Sequence, residues 1–384
     1  MAEEVDDEMA LGERVGATSA PVLSVEHISK RFTTSAGLGT KSRVVDAVRD
    51  VSFTVAAGEV VSVVGETGSG KTTLAGCISG LTIPTSGRVV FKGADMASIG
   101  RARRTELRRR IQPVFQDPRS SLDPRWTVER TIREPLDACK IGTPKQRRVR
   151  VGELMDRVGL PGFLARRRPH QLSGGQQQRV AIAAALALEP ELLVADEPVS
   201  ALDVSVQAQI LNLFETLRRD LGLAIVFISH DLSVVEHISD RVMVMYLGRL
   251  AELGGVEQVF DSPVHPYTKA LLRAIPRPEP KRLVPVQPLA DEMTSSAFSG
   301  GGCPFAPRCP EKVEECTSHL PEEREYDPGH ISACLVAAAA FRASGGHLTA
   351  ASPVKPEQPD ASEKPNAAGQ VLTSSGSVQK ERCP

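Results

Sequence analysis

Residues 60–74, VVSVVGETGSGKTTL, constrain the fold of this chain more than any other stretch. A β-branched run breaks at a glycine-rich turn, and a helix-forming segment follows at once. Gly65, Gly70, Lys71 and Thr72 fit the pattern G-x-x-x-x-G-K-S/T. Glycines let successive backbone N–H groups converge on phosphate oxygens, and the helix N-terminus adds a favourable dipole. Lys71 is then placed to reach the β and γ phosphates, and the Thr72 hydroxyl to ligate Mg2+. The phosphate-binding stretch comprises Gly65, Glu66, Thr67, Gly68, Ser69, Gly70, Lys71, Thr72 and Thr73. A strand before it and a good helix after it argue against an ordinary glycine turn.

The rest of the chain supplies a sheet for this loop. The runs VVSVV (60–64), RVVF (88–91), ELLVA (191–195), AIVFIS (224–229) and RVMVMY (241–246) alternate with longer helix-compatible stretches. Apolar strands interleaved with helices imply an α/β fold with a largely parallel sheet covered on both faces. Residues 126–172 carry apolar positions at helical spacing with no strand between them, which predicts a helical subdomain, about 117–172, inserted into that core. The acidic residues 1–20 and the Pro-, Glu- and Lys-rich residues 341–384 are expected to be disordered tails. After about 278, prolines multiply and mark a linker.

Charge and hydropathy narrow the setting. Lys plus Arg number 46 against 47 Asp plus Glu, which gives no basic surplus for nucleic acid, and the local Arg clusters at 101–110 and 166–168 read as solvated helix faces. The N-terminus lacks the basic and apolar regions of a secretory signal. Apolar runs such as AIAAALAL (181–188) fall short of the roughly 18 residues a membrane span needs. The expectation is a cytosolic chain that serves any membrane process by docking. Seven cysteines in such a chain argue against a disulfide framework, and Cys303, Cys309, Cys316 and Cys334 crowd one region, which favours metal.

Two further elements carry chemistry. In ELLVADEP a strand ends in Asp196 and Glu197, two carboxylates at the sheet edge beside the loop. Asp196 suits Mg2+ and Glu197 suits a water attacking the γ phosphate, although a strand-end acid pair also reads as helix capping. HQLSGGQQQRV then puts Ser173, Gly174, Gly175 and Gln176 at a helix start, a second backbone-donor anion site. One ATP does not need two such cradles in one subunit.

LSGGQ resembles the signature of the ATP-binding cassette (ABC) ATPases, in which two subunits sandwich ATP between the P-loop of one and the signature of the other. The resemblance spans about residues 22–335 and implies a RecA-like P-loop NTPase core of ABC type, with an antiparallel β part, over residues 21–262. It implies that Gln116 is the Q-loop glutamine, a contact of Mg2+ that faces a transmembrane partner. Ser200–Asp203 resembles the D-loop, and His230 matches the switch histidine on the γ phosphate. Phe32 stands where the family places an aromatic against adenine, with a buried-core role as the alternative. Catalysis then falls to Glu197, His230, Gln116 and Lys71, and Mg2+ to Thr72, Gln116 and Asp196.

DSPVHPYTKALLRAIP (261–276), GGCPFAPRCP and GHISACL resemble C-terminal elements of importers of dipeptides, oligopeptides and, in some systems, nickel. The linker LADEMTSSAFSGG departs from the PSPxNPPSG pattern usual there, which loosens the substrate assignment. The resemblance implies a small cysteine-rich C-terminal domain, 263–340, in an ATPase subunit at the cytoplasmic face of the membrane. Its implied partners are a second ATPase subunit, a paralogue rather than an identical chain, two permease subunits and an extracytoplasmic binding protein, with no nucleic acid. The rival is a soluble ABC ATPase acting on ribosomes or DNA, against which stand a single cassette and no sustained heptad. The pattern C-x5-C-x6-C-x17-C is wide for zinc, and family members with it carry a 4Fe-4S cluster; zinc and metal-free packing remain the alternatives. Cys77, Cys139 and Cys383 lie outside the pattern and are expected to be free thiols.

Overall fold

The computed structural model of the protein describes residues 20–34, 43–117, 121–275 and 301–351. Residues 1–19 and 352–384 of the expected tails, the linker 276–300 and Cys383 lie outside the described residues.

Thirteen strands appear among the described residues, in two sheets. β1 (Leu23–Thr34), β2 (Arg43–Val55), β4 (Ser86–Phe91) and β5 (Ala94–Asp95) form an antiparallel sheet in the order β2-β1-β4-β5. The second sheet contains β3 (Val60–Val64), β6 (Ile111–Val114), β7 (Leu192–Asp196), β8 (Ala224–Ile228), β9 (Arg241–Tyr246), β10 (Arg249–Gly255), β11 (Arg324–Asp327), β12 (His330–Ser332) and β13 (Thr349–Ala350). Its order is β13-β11-β12-β10-β9-β3-β8-β7-β6. The five strands from β9 to β6 run parallel, and the four beyond β9 run antiparallel.

Strand polarity explains the layers. Along β7 and β8, Leu193, Ala195, Ile225 and Phe227 enter one core, while Leu192, Val194, Ala224, Val226 and Ile228 enter another on the opposite face. This is the period-two alternation of a pleated strand with both faces buried. The first core is covered by helices α3 (Val128–Ala138), α4 (Pro144–Arg157), α5 (Gly174–Leu186) and α6 (Val204–Leu221), the second by α1 (Lys71–Ile78), α2 (Arg101–Arg109) and the antiparallel sheet. RVVF therefore corrects one expectation: it lies in β4 and pairs antiparallel with β1, because an apolar run does not state its partner.

Between β6 and β7 the described elements are all helical, with Thr127 and Thr143 capping α3 and α4 through bonds accepted from the backbone N–H groups of Arg130 and Gln146. The helices α7 (Leu232–Ile238), α8 (Val256–Asp261), α9 (Pro266–Arg273), α10 (Glu315–Ser318) and α11 (Leu335–Ala343) complete the chain. No helix among the described residues is long and apolar enough to cross a membrane.

The C-terminal region is joined to the core sheet. β12 pairs with β10 at Glu252–Ser332 and Leu253–Ile331, so residues beyond 263 continue the core sheet. The expected boundary at 341 also falls inside α11, and β13 pairs with β11 at 349–350. The fully buried Glu252 carboxylate holds this junction: it accepts the N–H groups of Val264 (2.7 Å) and His265 (2.9 Å) and lies 2.7 Å from His330 Nε2. A buried carboxylate is stable only when its oxygens are satisfied in this way.

Candidate active site

Parallel pairing brings the carboxyl ends of β3, β6, β7 and β8 to one edge, where Val63 and Asp196 both pair with Ile228 and Val114 pairs with Ala195. From that edge leave the glycine loop, Gln116, the Asp196–Glu197 pair and His230.

The loop is possible only with glycine at two close approaches. A Cβ on Gly65 would lie 2.2 Å from Met245 O, and one on Gly70, at φ +102°, 2.1 Å from Ala47 O. Lys71 is buried and turned back on the loop: its Nζ donates to Gly65 O at 2.7 Å and to Glu66 O at 2.9 Å. Burial holds its ammonium below the usual lysine range, against the opposing pull of the Glu197, Asp196 and Glu66 carboxylates.

Thr72 Oγ1 donates to Asp196 Oδ1 at 3.4 Å. Burial raises the Asp196 carboxyl, and the neighbouring Glu197 charge adds to it, while Thr72 and Lys71 act in the opposite sense. A hydroxyl and a carboxylate side by side at the loop are hard oxygen donors of the kind Mg2+ takes beside phosphate, so these residues fit that ion. Glu197 has a left-handed backbone, φ 47°, fixed by its N–H donating to Ile228 O at 2.9 Å. Gln116 Nε2 donates to Glu197 Oε2 at 2.9 Å, and His230 Nδ1 lies 3.2 Å from the same oxygen. Three residues named from separate stretches of sequence thus meet at one atom.

The other expected site residues lie apart from this cluster. Ser173 caps α5 in a reciprocal box with Gln176: Gln176 N–H donates to Ser173 Oγ at 3.3 Å, and Ser173 N–H to Gln176 Oε1 at 3.0 Å. Gly175 admits α6, since a Cβ there would meet Val206 Cγ1 at 2.4 Å. Phe32 on β1 is half exposed, with Lys30 Nζ 5.0 Å from the ring centroid. Its buried-core alternative does not hold.

The cysteines are near neighbours without forming a ligand set. Among the described residues, no three of His, Cys, Asp and Glu are gathered as for a metal ion. Cys303 N–H donates to Cys316 O at 2.8 Å, and Cys334 Sγ instead accepts the Ala337 N–H at the cap of α11. Burial pushes the thiols of Cys303, Cys309 and Cys334 up, the last to about 11. As arranged, these residues do not fit the expected iron–sulfur cluster or zinc. Cys77 is a buried thiol, pushed up to about 11 by burial.

Sequence reasoning missed one contact of the loop. Arg308, beside Cys309, holds the Glu66 carboxylate with both terminal nitrogens. Its RCP motif was visible only as a family mark, with no chemistry attached.

A P-loop on a parallel sheet, with a paired carboxylate, glutamine and histidine at the same edge, defines a nucleotide-hydrolysing cassette. Residues 48–200 match the family described as ABC transporter, and residues 251–316 match the oligopeptide/dipeptide transporter C-terminal region. A putative peptide import ATP-binding protein of Brucella ovis is 46% identical over 318 residues, covering 83% of this chain and 98% of that one. The oligopeptide transport ATP-binding protein AppF of Bacillus subtilis is 45% identical, over 83% and 98% of the two chains, and the dipeptide transport ATP-binding protein DppF of Haemophilus influenzae 44%, over 83% and 97%. The dimeric structure of the bacterial ABC transporter cassette MJ0796 is similar at TM-score 0.54 and 31% identity, covering 61% of this chain and 98% of that one. The chain belongs to the family of ABC transporter ATP-binding subunits, in the branch whose named members serve peptide import.

Proposed function

We propose that this chain hydrolyses ATP to power the import of di- or oligopeptides, docked at the cytoplasmic face of the membrane. The observation that carries the reading is the meeting of Gln116 and His230 on Glu197 Oε2, beside Lys71, Thr72 and Asp196. With Oε2 so engaged, Oε1 is left to accept the proton of a water as its oxygen attacks the γ phosphorus and the bond to ADP breaks. Lys71 exchanges its two carbonyl contacts for phosphate oxygens. Thr72, Asp196 and Gln116 would hold Mg2+, which when bound neutralises charge on the β and γ phosphates. Phe32 packs on the adenine, and Ser173, Gly174, Gly175 and Gln176 act on the nucleotide of the partner ATPase, a paralogue of this chain.

The helices between β6 and β7 serve as the helical subdomain, and two permease subunits dock beside them. An extracytoplasmic binding protein supplies the peptide, and the HPY-containing segment together with the named relatives supports this substrate class over nickel or another small solute. ATP-driven closure and reopening of the ATPase pair then shifts the permease between its two states. The cluster reading of the four cysteines rests on their spacing and on the family resemblance. A brown anaerobic preparation with about four irons per chain would establish it, a colourless one with stoichiometric zinc would put zinc in its place, and a metal-free one would leave the thiols as packing. The transport reading is tested by recovering the tagged chain from detergent-solubilised membranes: co-purifying permeases support it, and ribosomes without permease overturn it.

A further inference from the structure

We propose that Arg308 and Tyr267, both from the C-terminal region, are positioning residues for the phosphate-binding loop, and that they set its affinity for ATP by neutralising and orienting Glu66. Every polar group of Glu66 is engaged. Its carboxylate is gripped by a fork, Arg308 Nη1 to Oε2 at 2.7 Å and Nη2 to Oε1 at 3.0 Å. Its N–H donates to Tyr267 Oη at 3.0 Å, and its carbonyl accepts Lys71 Nζ.

The grip is rigid at its root. The Arg308 side chain is only 4% exposed, its Nη1 also donates to Tyr246 Oη at 3.2 Å, and Tyr267 is fully buried. The rings of Tyr246, Tyr267 and Phe305 pack with centroids 4.6 to 5.4 Å apart. Arg308 N–H closes a turn onto Phe305 O, Tyr267 N–H donates to His265 Nδ1, and the His265 backbone N–H donates to Glu252 Oε2. The Glu66 pair, the first cause of its shift, holds the Arg308 guanidinium above the usual range.

A carboxylate inside a loop that must receive a polyphosphate opposes binding unless its charge is cancelled. Arg308 cancels it, and the bidentate fork fixes the carboxylate plane as a single point charge would not. Tyr267 fixes the peptide that leads into the amides of the phosphate cradle. The C-terminal region thereby gains a mechanical and electrostatic hold on the phosphate-binding loop, although Arg308 and Glu66 lie 242 positions apart in sequence.

This inference rests on the phosphate role given to residues 65–72. ATP binding to the full chain with Mg2+ is measured by calorimetry, with thermal melting of each variant alongside. Arg308→Gln is expected to weaken binding about tenfold, and Tyr267→Phe, which loses only the acceptor oxygen, about threefold. Adding Glu66→Gln to Arg308→Gln should bring affinity back to within about threefold of wild type, because the uncompensated charge is gone. A purely structural role would leave that double variant as weak as the single one, which overturns the proposal. Wild-type binding by both Arg308→Gln and Tyr267→Phe does so as well. If Arg308→Gln does not fold, Arg308→Lys and Tyr267→Phe carry the test, with weakened binding in both expected and wild-type binding in both contradicting it. Lys71→Ala separates the two readings: normal ATP binding in that variant removes the P-loop role itself, whereas its loss beside normal binding in the clamp variants removes only the clamp.

Discussion

The two helix N-termini given phosphate roles in the proposed function are equipped differently. At α1 the loop brings a buried lysine, a hydroxyl paired with a carboxylate, and glycines forced by close backbone approach. At α5 the exposed Ser173 spends its acceptor capacity on Gln176 and keeps a hydroxyl proton to donate, and no lysine follows it. The first site brings a lysine cation together with the oxygen donors that would hold Mg2+. The second offers neutral donors only, and adds to a phosphate whose charge is already compensated elsewhere. The contrast is what the proposed sharing of a nucleotide between two subunits requires.

The contrast can be broken most visibly at Glu197, which belongs to the first site alone. Glu197→Gln keeps the shape and loses the proton acceptor, so turnover should fall by about a hundredfold to ten-thousandfold while ATP binding stays within about twofold. Rapid-quench turnover and calorimetry on the same preparation measure both, and wild-type turnover would remove Glu197 from catalysis.

Binding separates the two sites next. Lys71→Ala should weaken ATP binding to the isolated chain by about ten- to a hundredfold, whereas Ser173→Arg should leave it within about twofold. Equal losses in the two variants would erase the distinction.

The glycines sharpen it further on stability. At Gly70 an added Cβ meets the Ala47 backbone carbonyl at a left-handed φ, and at Gly175 it meets a Val206 methyl that can shift. Gly70→Ala should therefore cost about 3 kcal/mol or more, and Gly175→Ala about 1 to 2 kcal/mol, in thermal or urea unfolding. The reverse order would mean that the loop, not the signature helix, has room to adjust.

Both cradles were legible because each fits within a few consecutive residues and makes backbone demands that few residue types meet. Lys71, Thr72 and Ser173 stand where the motif order places them, and Asp196 and Glu197 follow from a strand end. The meeting of Gln116, Glu197 and His230 at one oxygen needed the family resemblance, since no local spacing links three separate strands. What stayed hidden depends on pairing at long range. RVVF could not announce an antiparallel neighbour, and the three- and four-residue strands β12 and β11 are too short to show a period. The attachment of β12 to β10 instead follows from a buried Glu252 and His330 that only the folded chain brings together. The cysteine spacing counted four thiols but could not say that one of them caps a helix.

The shared nucleotide is tested most directly by alkylation at position 173. A Ser173→Cys chain, purified in complex from membranes with a partner ATPase whose corresponding catalytic glutamate is changed to Gln, is treated with a maleimide in ATP or ADP, and labelling is mapped by peptide mass spectrometry so that the native cysteines are counted apart. The account predicts that ATP with Mg2+ protects position 173, because a partner's nucleotide covers it, and that ADP leaves it as reactive as in the nucleotide-free complex. Equal labelling in ATP and ADP would contradict it.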